Sequence, residues 1–137
     1  MIKLVVADMD GTLLNSKKEL PDNLFPTIRE LRKREIMFAV ASGRQYYNLR
    51  KIFEELQQEM TFICENGAII FDKGENIFTD EMDFEEVTEV VKQLRQIEGV
   101  YPVLCGVKAA YMENDDEEFI RNANMYYERS EIVADVL

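Results

Sequence analysis

Three short apolar runs recur through the first half of the chain, at residues 2–7 (IKLVVA), 36–41 (IMFAVA) and 61–64 (TFIC). Each is too short for a buried helix, and the first is rich in β-branched residues, so all three read as strands. The stretches between them change period. Leu24, Ile28 and Leu31 recur at helical spacing with charges on the other face, and Tyr46, Leu49, Phe53 and Leu56 form a second stripe of core residues. Pro26 fits a helix only within its first turn, where a missing N–H costs nothing. A β-α-β-α-β order with short connections predicts an α/β fold built on a parallel sheet with helices on its faces. The first strand is then expected to be buried on both faces. Asn66-Gly67 signals a hairpin, residues 72–76 (DKGEN) a further turn, and residues 77–82 (IFTDEM) a short strand.

The pattern changes near residue 83, which divides the chain into 1–82 and 83–137. Asp83 is placed to cap a helix, with Glu86 three residues on in a box-like arrangement. Phe84, Val87, Val90, Val91 and Leu94 supply the apolar face, and Gly99 the stop. VYPVLCGV and AAYM read as two strands joined by a turn near Lys108. The acidic start of NDDEEFIRNANMYYE suits the positive end of a helix dipole. The second part is expected to be a helix-hairpin-helix unit.

Composition narrows the chemistry. The 137 residues are 47% hydrophobic and 31% charged, sufficient for a real core. The formal net charge of −11 and the lack of a basic patch argue against nucleic acid and anionic membrane partners. An anionic substrate stays compatible with this charge if a metal ion supplies the positive charge. There is no histidine, which removes Ser-His-Asp and Cys-His hydrolases and His-ligated zinc or iron sites. Cys64 and Cys105 sit in strand-like runs and read as buried free thiols in a reducing, cytoplasmic setting. No apolar window approaches the length of a membrane span, and the N-terminal run is too short for a signal peptide.

Asp8 and Asp10 follow the first apolar run. Two residues apart on a strand, they would face one crevice at its carboxyl end, where open α/β sheets bind ligands. Their mutual repulsion would be relieved by a divalent cation, and oxygen donors without His or Cys favour Mg²⁺. The pair alone also fits an acidic loop that caps a helix.

DMDGTLL after one strand and ASGR after the next resemble the haloacid dehalogenase (HAD) superfamily, and ENGA resembles its Cof-type sugar-phosphatase branch. The resemblance implies a HAD-like Rossmannoid core over 1–82, its parallel sheet incomplete, and the first part of an inserted α/β cap over 83–137. It implies a phosphatase acting on a small phosphorylated metabolite such as a sugar phosphate. Asp8 would be the nucleophile that forms an aspartyl phosphate. Asp10 would protonate the leaving alcohol and then activate water. The Asp8 carboxylate and the Asp10 carbonyl would bind Mg²⁺. Met9 and Gly11 would offer backbone N–H groups to the phosphoryl oxygens, and Thr12 would steady the loop. Ser42 would hold a phosphoryl oxygen, although its place also suits a helix cap, and Gly43 would allow close approach. Arg44 is expected in a structural ion pair, with a substrate-facing role as the alternative. Asn66 would lie near the site entrance.

The resemblance also calls for a lysine and a later acidic motif. No sequence like Gly-Asp-x-x-Asn-Asp occurs, and no lysine falls at a matching strand end. The chain is therefore expected to be a truncated, nearly inactive half of such an enzyme. Ile2, Leu4, Val5 and Val6 would line an open sheet edge and favour a homo-oligomer. Competing readings are a phosphomutase on the same core, a catalytically dead interaction or regulatory fragment, and a DxD glycosyltransferase, against which the Gly-Thr-Leu-Leu continuation argues.

Overall fold

A computed structural model describes residues 1–137. The chain divides into two compact units, Met1–Thr79 and Asp80–Leu137. No helix is long and apolar enough to cross a membrane.

The first unit contains β1 (Leu4–Asp8), α1 (Leu24–Lys33), β2 (Met37–Ala41), α2 (Tyr46–Ile52), β3 (Thr61–Cys64), β4 (Ile69–Asp72) and β5 (Glu75–Thr79). The five strands lie in sequence order. β1, β2 and β3 are parallel, with Leu4 opposite Met37, Asp8 opposite Ala41 and Ala41 opposite Ile63. β4 and β5 then turn back as antiparallel strands, so the sheet is mixed rather than wholly parallel.

The helices follow from their stripes. α1 packs on β2 and α2 on β3. Pro26 occupies the first turn of α1, where it displaces no helical hydrogen bond. Tyr46, Leu49, Phe53 and Leu56 are all buried, as their spacing predicts. Tyr46 stacks on Phe71 at 3.6 Å between centroids, and Phe53 and Phe62 meet edge to face at 6.1 Å. These rings fill the layer between α2 and one face of the sheet.

The register places Leu4, Val6 and Met37 on the other face. They are 45%, 49% and 57% exposed. β1 is thus an edge strand with one open face, not a strand buried on both. The edge itself matches the expectation for Ile2, Leu4 and Val6, while Val5 is half-buried.

The turn at Asn66 differs from a two-residue hairpin. Glu65, Asn66 and Gly67 all have positive φ (48°, 58° and 102°), and the connection takes four residues. The tight two-residue turn lies at Lys73-Gly74, with φ of 49° and 86°. β5 consequently begins at Glu75, earlier than the apolar Ile77 suggested.

The second unit contains α3 (Phe84–Leu94), β6 (Val103–Cys105), β7 (Ala110–Met112), α4 (Glu117–Ala123) and β8 (Ser130–Ile132). β6 and β7 are antiparallel, and β8 joins β7 in parallel. β8 turns the expected helix-hairpin-helix unit into a three-stranded α/β one. Asp83 caps α3 through the Glu85 N–H at 2.8 Å, and Asp116 caps α4 through Glu118 and Phe119 at 3.0 and 2.9 Å. α3 stops at Leu94, before Gly99. Val91 of its apolar stripe is buried and Val87 and Leu94 half-buried, but Phe84 and Val90 are exposed. Cys64 is buried as expected, whereas Cys105 is exposed near the end of an outer strand.

Candidate active site

Parallel strands send their carboxyl ends to one side, and β1, β2 and β3 end at Asp8, Ala41 and Cys64. The loops that follow meet there. Asp8 closes β1, and its carbonyl accepts the Leu13 N–H at 3.1 Å. The chain then curls over. The fully buried Met9 accepts the Leu14 N–H at 2.8 Å, and Asp10 forms an isolated bridge with Leu14. Asp10 therefore lies in the turn beyond the strand, so strand alternation does not account for its proximity to Asp8. Gly11 has φ of 84°, a conformation that L side chains rarely adopt, and it lets the turn reverse. Thr12 lies exposed in the same turn.

Ser42 is buried at the end of β2. Its N–H bonds the Ile63 carbonyl at 2.9 Å, and its Oγ accepts the Arg44 N–H at 3.2 Å. That is a local turn bond of the kind a capping residue makes. The Ser42 carbonyl accepts the Asn66 N–H at 3.2 Å, and the Arg44 carbonyl accepts the Glu65 N–H at 3.2 Å. Gly43 explains how closely these loops approach: a Cβ there would stand 2.8 Å from Asn66 Oδ1.

The side chain of Arg44 links the second loop to the first. Its Nε donates to Asp10 Oδ2 and its Nη2 to Oδ1, both at 3.0 Å, while Nη1 reaches Asn48 Oδ1 at 3.1 Å. This is the two-pronged geometry in which guanidinium binds carboxylate best. Arg44 thus makes an ion pair, with the proposed proton-transfer residue as its partner. Lys18 Nζ adds a third contact, 2.7 Å from Asp10 Oδ1. These two cations hold the Asp10 carboxyl at about 2, well below its ordinary 3.8.

Sequence reasoning missed Lys18. Its contact depends on a turn in which Lys18 has φ of 63°. Asn15 was the available signal: its Oδ1 accepts the Lys17 and Glu19 N–H groups at 2.8 and 3.0 Å, a side-chain-stabilised turn.

The donors present are oxygens, which suit a hard cation. An Asp8 carboxylate and the Asp10 main-chain carbonyl are the donors that would hold such a cation here. No group of three or more Asp, Glu, Cys or His side chains gathers to hold a metal. The Asp10 carboxylate is already engaged by Arg44 and Lys18.

The first unit is an α/β sheet with aspartates at and after the end of its first strand and a Ser-Gly-Arg turn after its second, an arrangement compatible with a hydrolase. A family model for haloacid dehalogenase-like hydrolases matches residues 5–136, and the chain belongs to that family. The 5-amino-6-(5-phospho-D-ribitylamino)uracil phosphatase YbjI of Escherichia coli is 35% identical over 134 residues, covering 96% of this chain and 49% of that protein. Phosphatase YwpJ of Bacillus subtilis is 29% identical over 120 residues, 87% of this chain and 42% of that one. The crystal structure of SMU.1108c from Streptococcus mutans matches with a TM-score of 0.87 at 29% identity, covering 98% of this chain and 52% of that one. The chain spans about half the length of these relatives.

Proposed function

We propose that this chain carries the nucleophile-bearing half of a Mg²⁺-dependent phosphatase site of the Cof type, acting on a small phosphorylated metabolite such as a sugar phosphate. The observation that carries the reading is the convergence of Asp8, Asp10 and Ser42 at the carboxyl ends of adjacent parallel strands. In this reading residues 83–137 are the first part of a substrate-selecting cap. The buried free thiol of Cys64 is consistent with a cytoplasmic protein.

The chemistry assigns each group a task. A carboxylate oxygen of Asp8 attacks phosphorus, and the bond from phosphorus to the leaving oxygen breaks. The leaving oxygen takes its proton from the Asp10 carboxyl, which regains one from the attacking water in the next step. Water then attacks the aspartyl phosphate, releasing inorganic phosphate and restoring Asp8. Ser42 Oγ and the amides of Met9, Gly11 and Gly43 orient the phosphoryl oxygens. Mg²⁺ bound at Asp8 and the Asp10 carbonyl would supply positive charge against the phosphoryl group. Held between Arg44 and Lys18, Asp10 is ionised and ready to act as the base toward water. To serve first as the acid, Asp10 must take up a proton before the ester is cleaved.

Phosphoryl transfer depends on electrostatic stabilisation, and loss of one stabilising donor costs about a hundredfold or more in rate. The nucleophile can be tested without turnover. Fluoroberyllate with Mg²⁺ imitates a phosphoryl group on a carboxylate, and ¹⁹F NMR should show it bound to the wild-type chain and absent from Asp8→Asn. Equal binding by both, or by neither, would overturn the assignment of Asp8.

A further inference from the structure

The site must receive a dianionic ester on a protein of net charge −11. Two cations touch Asp10, and they are held very differently. Arg44 is 11% exposed at its side chain. Its guanidinium is engaged by Asp10 and Asn48, and its main chain by Ser42 Oγ and the Glu65 N–H. Lys18 is 65% exposed at its side chain, and its ammonium sits at the end of a flexible stem on one oxygen of Asp10. Of the two, Lys18 can move without dismantling the loops.

The turn that presents Lys18 is well built. Asn15 Oδ1 takes the N–H groups on either side of Lys18, and the Asn15 carbonyl takes the Lys18 N–H at 2.9 Å. The Asn15 N–H and Nδ2 both donate to Glu19, at 3.1 Å. These bonds support the positive φ at Lys18, which a lysine adopts only at some cost.

We propose that Lys18 is a substrate-side residue, its ammonium parked on Asp10 in the free protein and passing to a phosphoryl oxygen of the bound ester. The inference rests on the phosphatase reading above. Arg44 stays in place as the residue that positions Asp10, and Lys18 is the cation that travels. The transfer brings positive charge to the phosphoryl group from a loop after the first strand.

The test uses the 137-residue chain with inorganic phosphate as the probe, in Mg²⁺ buffer, followed by amide NMR shifts at residues 9–11 and 42–43. Wild type should bind phosphate there. Lys18→Met, which keeps the stem and removes the charge, should bind about fivefold more weakly, in line with an exposed ion pair. Lys18→Arg should restore most of the affinity. The wild-type affinity should fall more steeply with added salt than that of Lys18→Met. Unchanged amide shifts in α1 and β3 will show that the variants are folded. Equal affinity in wild type and Lys18→Met overturns the role of Lys18 and leaves the phosphate site standing. A wild-type chain whose loop amides ignore phosphate overturns both.

Discussion

Asp10 shows how much one carboxylate depends on its neighbours. Its low value comes first from hydrogen bonds donated by Arg44 and Lys18, and burial opposes the shift. Since the folded value lies below the ordinary one, the two pairs stabilise the fold above pH about 4, and that contribution is lost as pH falls through about 2. Arg44→Met should move the Asp10 midpoint upward toward 3.8, measured by carboxyl ¹³C NMR; a midpoint still near 2 would mean that Lys18 alone sets it. Gly43 makes a different kind of point. A methyl group there meets only the far end of an exposed Asn66 side chain, so Gly43→Ala should change stability by less than about 0.5 kcal/mol. A crystal structure of the variant should nonetheless show Asn66 swung away. The sequence drew attention to Asp8, Asp10 and Ser42 through the resemblance carried by DMDGTLL and ASGR, each at or just after an apolar strand. It did not show the contacts among Arg44, Lys18 and Asp10, which join residues as many as 34 positions apart.

At the scale of the element, caps and stripes explain most of what forms. Asp83→Ala and Asp116→Ala should each destabilise their helix by about 1 kcal/mol, read by denaturant melts followed by circular dichroism. Asp116 accepts two amide bonds and Asp83 one, so the second loss should be the larger. Phe53→Ala would remove a fully buried ring that touches Phe25 and Phe62, at a cost of about 3–5 kcal/mol in the same melts. Periodicity found both helices of the first unit, yet the second stripe outruns its helix: α2 ends at Ile52, Phe53 caps it and Leu56 lies in a separate 3-10 turn, although all four stripe residues are buried. It overstated α3, where Phe84 and Val90 belong to the stripe by spacing but remain exposed. It missed β8 altogether. Ser130–Ile132 is three residues long with glutamate at its centre, and it becomes a strand only by pairing with β7, across α4 in sequence. Such a pairing leaves little local imprint.

For the molecule as a whole, the open sheet is the dominant feature. Leu4, Val6 and Met37 give β1 and its neighbour an apolar surface beside unpaired backbone groups, a combination that recruits other strands. We expect light scattering to report a mass above the 16.0 kDa of one chain, and Val6→Lys to bring it down toward the single-chain value. A wild-type chain that remains at 16.0 kDa would refute self-association. The sequence anticipated this edge, yet it also suggested burial of the same strand on both faces. An apolar run alone cannot distinguish a strand covered on both faces from one with an open face.

The contrast between the two thiols turns the protein into its own reporter. Burial pushes Cys64 up to about 12, and alkylation needs the thiolate, so Cys64 is shielded twice while β3 stays closed. Cys105 is exposed and open to the reagent at once. A timed pulse of iodoacetamide at neutral pH should therefore add one label immediately and a second only as fast as the first unit opens. Counting adducts by mass spectrometry would time that opening residue-specifically, in a chain with no tryptophan to follow by fluorescence.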